Sequence, residues 1–406
     1  MPSSNGTSFN MNQTIDIDLP SNVRNTYLDF ASSYLSFNLS NANANNVKLP
    51  GQGAYALIKK LECVVGSQTL FSTDNYNQLV DMLLDQDANF LYKANNGRVL
   101  FGSNTLKTTG FPIAQNDVKS VALPLVGNIL YNSEKYIPLH SAEKIRIKIT
   151  LDTTALGLIS VTAASADSDI TLSDVNFVGY FVEVDEQVQN MIDEQTGGLY
   201  TIIGDNYSHA SNTFENNASQ VTINTGFSYG SLNRVLLAFN PTASRVALRN
   251  SFCRSQCRLL EASVSVNGQK IPARPVKDIT TSTGSLGGAE PLAELLIADK
   301  ALHSFSHTSS FGATGADAYT LTTVATAGSD DATTGTFMVS IDTERVRGDS
   351  NRIYAGINTI GSTVQVSAEM TAAANSAASA DAFANYTTKF TLDASPDGSR
   401  VWTVQV

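Results

Sequence analysis

Charged residues are scarce in this chain of 406 residues. They make up 16% of the sequence, whereas about a quarter is usual in soluble globular proteins. Basic residues are the scarcer sign, because 26 Lys and Arg stand against 37 Asp and Glu, which gives a net charge of −11. This balance argues against broad contact with nucleic-acid phosphates, so we expect no sequence-specific nucleic-acid binding.

Long apolar runs, a secretory leader and an even set of cysteines are also missing. No segment approaches 18 consecutive apolar residues, and the first twenty residues have neither a basic n-region nor an apolar h-region. Cys63, Cys253 and Cys257 are an odd number, which cannot form a complete disulfide framework. These absences predict a soluble protein with reduced thiols that is made in the cytoplasm.

Period-two alternation of apolar and polar residues is abundant. It occurs at Tyr34–Leu39, Lys144–Leu151, Val264–Val266 and Val364–Val366. Such alternation places apolar side chains on one face of a strand, and the Gly, Pro, Asn and Asp residues between these segments are typical of turns. The pattern therefore predicts antiparallel β-sandwiches rather than alternating strands and helices.

One strand-turn unit occurs twice in the chain. LECVVGSQTL begins at Leu61, and the related LEASVSVNGQKI begins at Leu260. Each is followed by apolar residues at i, i+3 and i+4, which predicts short amphipathic helices near residues 74–86 and 290–302, the first with Asp74 as its cap. Later strand patterns correspond in the same order, namely Val121–Leu125 with Phe337–Ile341 and Ile145–Ile149 with Val364–Ala368.

The repeat and its boundary predict the domains. A polar helix pattern that ends in glycines marks the boundary at Asp185–Gly198. We expect a flexible N-terminal arm at residues 1–19, a first jelly roll at 20–185, a linker helix at 186–198 and a second jelly roll at 199–406. The predicted fold class is all-β, with two tandem jelly-roll β-sandwiches that each carry a short inserted helix.

The repeated order resembles the double jelly-roll major capsid proteins of tailless icosahedral double-stranded DNA viruses. The resemblance rests on the strand Tyr27–Leu39, the run LIKKLECVVGSQTLFSTDNYNQLVDMLLD, the closing strand and polar helix VNFVGYFVEVDEQVQNMIDEQ, and LEASVSVNGQKIPARP with the AELLIADKAL helix. It covers nearly the whole chain from about residue 20. The length is similar to that of the small members from bacterial tailless viruses and virophage or polinton-like viruses.

This resemblance implies a structural protein without catalysis. Three chains would form a homotrimeric capsomer of pseudo-hexagonal outline, and capsomers would assemble into an icosahedral virion shell. The implied partners are two further copies, neighbouring capsomers, penton and minor capsid proteins, and an internal membrane. The protein would be synthesised in the host cytoplasm and reside in the capsid shell, and no cofactor is implied.

One short motif offers a catalytic alternative. Gly226–Gly230, with the sequence GFSYG, matches the G-x-S-x-G nucleophile elbow, and His303 or His307 follows downstream. An elbow needs a buried strand followed by a helix, whereas the segments on either side of GFSYG have strand patterns around a glycine turn. A serine hydrolase with Ser228 as its nucleophile is therefore an alternative that the local pattern disfavours.

Other short motifs have simple structural interpretations. His303 and His307 have metal-compatible spacing, but their surroundings suit a strand or loop and lack the zincin Glu. Cys253 and Cys257 have no second pair for zinc, Asp393–Gly398 lacks the acidic ligands of a calcium loop, and the RGD tripeptide at 347–349 suits a turn. The sequence thus predicts no catalytic, cofactor-binding or metal-ligating residue.

A second alternative is a tandem β-sandwich that binds carbohydrate, as in lectins and spike-like adhesins. Aromatic residues exposed together on one loop face would favour this function, and a monomer that binds glycans would establish it. The predicted repeat alone does not separate this class from a capsid protein.

Overall fold

The computed structural model describes eleven segments of the chain. They are residues 1–104, 110–132, 135–141, 143–160, 166–241, 252–278, 288–299, 336–344, 355–371, 378–394 and 400–405.

Strands dominate the part of the chain before residue 184. In chain order they are β1 Ser8–Asn10, β2 Thr14–Asp18, β3 Thr26–Asn41, β4 Val47–Leu49, β5 Ile58–Val65, β6 Gln68–Asp74, β7 Phe111–Ile113, β8 Val118–Leu123, β9 Ile137–Pro138, β10 Ile145–Leu151, β11 Ile159–Ser160 and β12 Ile170–Glu183. Eight of these strands form two four-stranded sheets, in the orders β1-β12-β3-β8 and β2-β10-β5-β6, and β9 extends the first sheet by pairing with β3. A small third sheet has the order β11-β4-β7.

The second half repeats this arrangement. Its described strands are β13 Tyr200–Phe214, β14 Gln220–Thr225, β15 Leu232–Pro241, β16 Leu259–Val266, β17 Gln269–Lys277, β18 Val339–Asp342, β19 Val364–Met370, β20 Ala378–Ala394 and β21 Arg400–Gln405. The sheet orders are β13-β20-β15-β18 and β14-β19-β16-β17, and β21 pairs with β20. When each sandwich is counted along the chain, the strand order in its two sheets is the same. The predicted fold class, two tandem jelly rolls, is therefore confirmed.

Buried and outward-facing residues alternate along the strands as the sequence predicts. In β10, Ile145, Ile147 and Ile149 are buried, while Arg146 and Lys148 lie on the other face. The repeated strand-turn unit corresponds to the hairpins β5–β6 and β16–β17. In the second hairpin Asn267 and Gly268 both have positive φ, at 50° and 80°, which is the backbone of a type I′ turn.

Helices lie at equivalent places in the two halves. Helix α1 spans Tyr76–Asp87 after β6, and α7 spans Ala289–Ala298 after β17. Asn75, and not Asp74, precedes the first turn of α1. The polar helix α6, Glu186–Thr196, is capped by the Asp185 side chain, which accepts from the backbone N–H of Gln187. Shorter helices were not predicted from the sequence, namely α2 Phe90–Ala94, α3 Asn96–Phe101, α4 Ile129–Asn132, α5 Thr154–Gly157 and the 3-10 turns Gly53–Leu57 and Asp167–Asp169.

No helix in the described segments has both the length and the apolar character that a membrane crossing requires.

Residues 1–19 do not form the flexible arm that we expected. They contribute β1 and β2, one strand to each sheet of the first sandwich, and β2 pairs Ile15 with Ile149 and Ile17 with Ile147. Ile15 and Ile17 are both fully buried. The expected boundary at residue 20 is wrong because the alternation in TIDID, although short, supplies the edge of a sheet that is otherwise incomplete.

The hydrophobic core of the first sandwich extends into the second half. Trp402 of β21 is buried in the same cluster as the first-sandwich core, together with Ile202, Phe390 and Leu392. A separate cluster fills the second sandwich. The proposed division of the chain at residues 186–198 therefore remains a prediction, and the two sandwiches share apolar contacts across it.

Truncating β2 should destabilise the whole first sandwich. We expect Ile17→Ala to lower the free energy of unfolding by about 2–5 kcal/mol, the usual cost of removing a fully buried aliphatic side chain. Ser8→Ala is a suitable control, because Ser8 is exposed in the neighbouring strand β1. Urea unfolding of both variants tests this, and equal midpoints would show that residues 1–19 are not part of the core.

Candidate functional site

The most extensively buried contact outside the two cores is the junction between the sandwiches. Helix α1 is apolar on two sides: Tyr76 and Val80 belong to the core of the first sandwich, while Leu79 and Met82 belong to a cluster shared with the second. The members of that cluster are Leu79, Met82, Tyr207, Leu236, Ala238, Leu295, Met338 and Phe383, and each is at most 5% exposed. Helix α1 thus belongs to both sandwiches at once.

A buried ion network crosses this junction. The Arg254 guanidinium, from the second half, donates to Asp81 Oδ2 at 2.5 Å and to Asp85, both on α1. The Lys93 ammonium of α2 donates to the other oxygen of Asp85 at 2.6 Å. All four side chains are at most 6% exposed. Among the described residues, two cations pair with two anions, which limits the cost of removing these charges from water.

Backbone groups complete the coordination of Arg254. Its guanidinium also donates to the carbonyl oxygens of Phe337 at 3.0 Å and Thr336 at 3.2 Å. On α1, Asp81 and Asp85 are four residues apart and therefore lie on the same helix face. The guanidinium is planar and holds its N–H donors in fixed directions, so one side chain can bind two carboxylates and two carbonyl oxygens at once.

Strand β13 makes further polar contacts with the first sandwich. Thr73 Oγ1 donates to the carbonyl of Tyr207 at 2.8 Å, and the backbone N–H of Ile129 donates to Asn206 Oδ1 at 2.9 Å. The Lys135 ammonium donates to the carbonyl of Thr201 at 3.1 Å. These bonds align the first strand of the second sandwich along the flank of the first.

A second polar cluster lies where α6 leaves the first sandwich. Tyr27 donates its hydroxyl to Gln189 Oε1 at 2.9 Å, and Gln189 Nε2 donates to Asp193 Oδ1 at 3.0 Å. The Tyr200 hydroxyl donates to the same carboxylate. Arg400 approaches Asp193 at 3.2 Å and lies over the Tyr200 ring. Residues from β3, α6, β13 and β21 are thereby held together.

His140 is packed against the aromatic rings of this cluster. Its ring centroid is 4.7 Å from that of Tyr200 and 6.0 Å from that of Tyr27. Neither ring nitrogen has a hydrogen-bond partner among the described residues. Burial, together with the nearby Arg400 and Arg24 guanidinium groups, lowers the pKa of His140 to about 4, against the opposing effect of Asp193.

A cavity of about 480 Å³ opens beside the junction. Five aromatic rings contribute to its wall, from Tyr55, Tyr92, Phe101, Tyr131 and Tyr207. The charged side chains among the described residues of its lining are Asp87, Arg234 and Asp299. Both sandwiches therefore line it, because the first four aromatic residues precede α6 and Arg234 lies in β15.

The structure does not support the hydrolase alternative. GFSYG lies in the connection from β14 to β15, with Ser228 exposed and a strand, not a helix, after it. A nucleophile elbow is a turn between a strand and a helix, so this local geometry does not orient Ser228 as a nucleophile. Tyr229 of the same segment stacks on Tyr386 with ring centroids 3.7 Å apart, which is a packing role.

The other motifs have no assembled site among the described residues. All three cysteines lie in the described segments as thiols, with Cys63 and Cys257 buried, and burial raises the pKa of Cys63. No group of three or more metal-binding side chains is found in the part of the chain that the structure describes. His303, His307, the RGD tripeptide and most of the Asp393–Gly398 turn lie outside the described residues.

Sequence reasoning missed the residues of the junction. Asp81 and Asp85 were visible as an acidic pair within the apolar pattern of α1, and this is an unusual place for two charges. Nothing local to Arg254 indicates a partner, because 169 and 173 positions separate it from the two carboxylates. His140 also gave no signal, since its neighbours come from four different elements.

No protein-family model matches the chain, and the comparison with curated proteins likewise found no match.

Solved structures with the same architecture do match, and they are major capsid proteins with the double jelly-roll fold. The Faustovirus major capsid protein has a TM-score of 0.61 and 8% identity, over 96% of this chain and 89% of its own. PBCV-1 VP54, a crystal structure fitted into a cryo-EM reconstruction of the virophage Sputnik, has a TM-score of 0.59 and 11% identity, over 97% and 93%. The mavirus major capsid protein has a TM-score of 0.53 and 9% identity, over 100% and 90%. The likeness shows that this chain has the double jelly-roll fold along nearly its whole length.

Removing Arg254 should strongly destabilise the junction. Arg254→Met removes the guanidinium that pairs with both buried carboxylates, and we expect a loss of about 3–5 kcal/mol in the free energy of unfolding. Adding Asp81→Asn to this variant should recover part of the loss, because it removes one of the two buried negative charges that Arg254 neutralises.

The control is Arg274→Met. Arg274 forms an ion pair of 2.6 Å with Glu290, but its side chain is 72% exposed. Exposed pairs contribute about 0–1 kcal/mol, so this variant should unfold close to wild type. Urea unfolding compares the variants, and equal destabilisation by the two arginine substitutions would contradict a role for the buried network.

His140 should make stability depend on pH. Because its pKa is lowered from the usual 6.5 to about 4 in the folded protein, the unfolded chain binds a proton first as the pH falls. The contribution of the neutral His140 ring to the free energy of unfolding is complete above pH 6.5 and is lost progressively between pH 6.5 and 4. The difference in melting temperature between wild type and His140→Phe should therefore change across this interval, and a constant difference would refute the assignment.

Proposed function

We propose that this chain is a structural major capsid protein that forms pseudo-hexagonal homotrimers and assembles into the icosahedral shell of a double-stranded DNA virus. The observation that carries the proposal is the pair of eight-stranded jelly rolls with one strand order, joined through α1 and the Arg254 network. Two solved structures with this fold, from Faustovirus and mavirus, are named as major capsid proteins.

The geometry of closed assemblies supports this function. Two similar sandwiches in one chain give three copies six similar units around a threefold axis, which suits a hexagonal array. Such a unit requires the two sandwiches to keep a fixed relation, and buried contacts at the junction provide it. A loosely linked pair of domains would not hold a six-sided outline.

Exposed apolar side chains provide surfaces for contact with further subunits. Val99 of α3 is 75% exposed, Leu91 of α2 is 66% exposed, and Val118 of β8 is 57% exposed. The Lys119 ammonium, next to Val118, donates to the carbonyl of Val99, so these two parts of the surface adjoin. Exposed apolar groups that lie together are typical of interaction surfaces.

The proposed function also includes the location, partners and lack of activity that we expect from the sequence. The protein would reside in the virion after synthesis in the host cytoplasm, in contact with neighbouring capsomers, penton and minor capsid proteins and an internal membrane. It would have no enzymatic activity and would not read nucleic-acid sequence, in keeping with its net charge of −11.

Purified protein should be trimeric or larger. Three copies of 43.3 kDa give a mass of about 130 kDa, and permanent interfaces of this kind bury about 2,000 Å² or more. Light scattering at micromolar concentration and physiological salt measures the mass, and negative-stain microscopy tests for pseudo-hexagonal outlines. A 43 kDa species that persists on concentration would refute the capsid function, and glycan binding by that monomer would support the carbohydrate-binding alternative.

A further inference from the structure

The cavity beside the junction combines an aromatic wall with an uneven set of charges. Arg234 donates to the Tyr207 hydroxyl at 2.9 Å and lies 3.8 Å from Asp299. Asp299 also accepts a hydrogen bond of 2.6 Å from Gln86. Asp87 has no hydrogen bond or ion pair with any described residue. Asp87 is thus a carboxylate of the lining that no described cation pairs with.

Further acidic side chains lie beside this cavity. A smaller cavity of about 240 Å³ shares Tyr207, Arg234 and Asp299 with the first, and its lining adds Asp205, Asp342 and Glu344. Although the Asp87 side chain is exposed, the surrounding protein and the charge of Asp299 raise its pKa to about 6. A cation at the mouth would relieve the repulsion between the two carboxylates.

We propose that this cavity binds an ammonium group carried on an apolar or aromatic stem. The stem would pack against the rings of Tyr92, Phe101 and Tyr131, and the ammonium would lie against the Asp87 carboxylate. Ligand cavities commonly have about this volume, with aromatic walls and a few polar groups that orient the ligand. Aromatic faces also attract cations directly, which adds to the preference for an ammonium group.

Two sources could supply this chemistry, a free small amine or a lysine side chain from another protein chain. Either would touch both sandwiches, because Tyr92 and Phe101 belong to the first and Arg234 to the second. Binding would therefore stabilise the closed junction in proportion to its occupancy. This inference does not depend on capsid assembly, since it concerns a cavity within one chain.

Isothermal titration calorimetry of the full-length protein with phenethylamine at pH 7.5 tests the proposal. Phenylpropionate and phenylethanol are matched probes, because they have the same ring on a short stem with a negative charge or none. We expect saturable binding of the amine at millimolar concentration and none of the carboxylate. Equal binding of all three probes, or no saturable heat with the amine, would overturn the proposal.

Substitution of Asp87 tests whether its negative charge selects the ligand. Asp87→Asn keeps the shape of the side chain and should weaken amine binding about tenfold, which corresponds to about 1.4 kcal/mol. Asp117→Asn is the control. Asp117 is an exposed carboxylate next to the start of β8, whereas the cavity residue Pro124 follows the other end of that strand. Affinity for the amine should also fall between pH 7.5 and 5 in wild type but not in Asp87→Asn. Unchanged affinity in Asp87→Asn would refute the assigned site.

Light scattering in the presence of saturating phenethylamine separates the two sources. If a lysine of another copy normally occupies the cavity, the amine should compete with it and lower the assembled mass. If the natural ligand is a free amine, the mass should remain constant while the melting temperature rises. A monomeric mass without the amine would contradict the capsid proposal alone, because the calorimetric result is independent of assembly.

Discussion

The double burial of helix α1 is the constraint on which the rest of the structure depends. An amphipathic surface helix normally covers one core and exposes its other side. In α1, Tyr76 and Val80 face the first core, while Leu79 and Met82 require a second cover. The second sandwich supplies that cover and brings Arg254 to the buried carboxylates of Asp81 and Asp85 on the same helix. Apolar burial and charge balance thus favour the same relative placement of the two halves.

The duplication is therefore structural but not functionally symmetric. Both sandwiches have the same strand order and a helix after the equivalent hairpin. Only the first sandwich, in the described segments, adds a pair of short helices, and this pair provides Lys93 to the buried network. The aromatic residues of the cavity wall include Tyr92 and Phe101 from the same insertion. The first half has specialised in building the junction, whereas the second half contributes single residues from strands and loops.

Local signals in the sequence account for most of the fold. Alternation in β10 and the hairpin turn at Asn267 are properties of a few adjacent residues, so they are visible without a structure. Helix α6 was also predictable, because Asp185 caps it and glycine ends it. Strands β1 and β2 were missed because they span three and five residues, which is too short for a strong pattern. The ion network could not be predicted, since pairing of distant charges depends on how complete sandwiches are placed against each other.

The position of Trp402 has a consequence for biosynthesis. This residue, the single tryptophan of the chain, is buried in the core of the first sandwich although it lies in the last strand, β21. Translation produces it after all the other residues of that core, so the N-terminal sandwich emerges from the ribosome with part of its apolar surface uncovered. Folding domain by domain from the N-terminus is the common course for long chains. Here the final packing of the first core is delayed until β21 has been synthesised, long after the rest of the first sandwich.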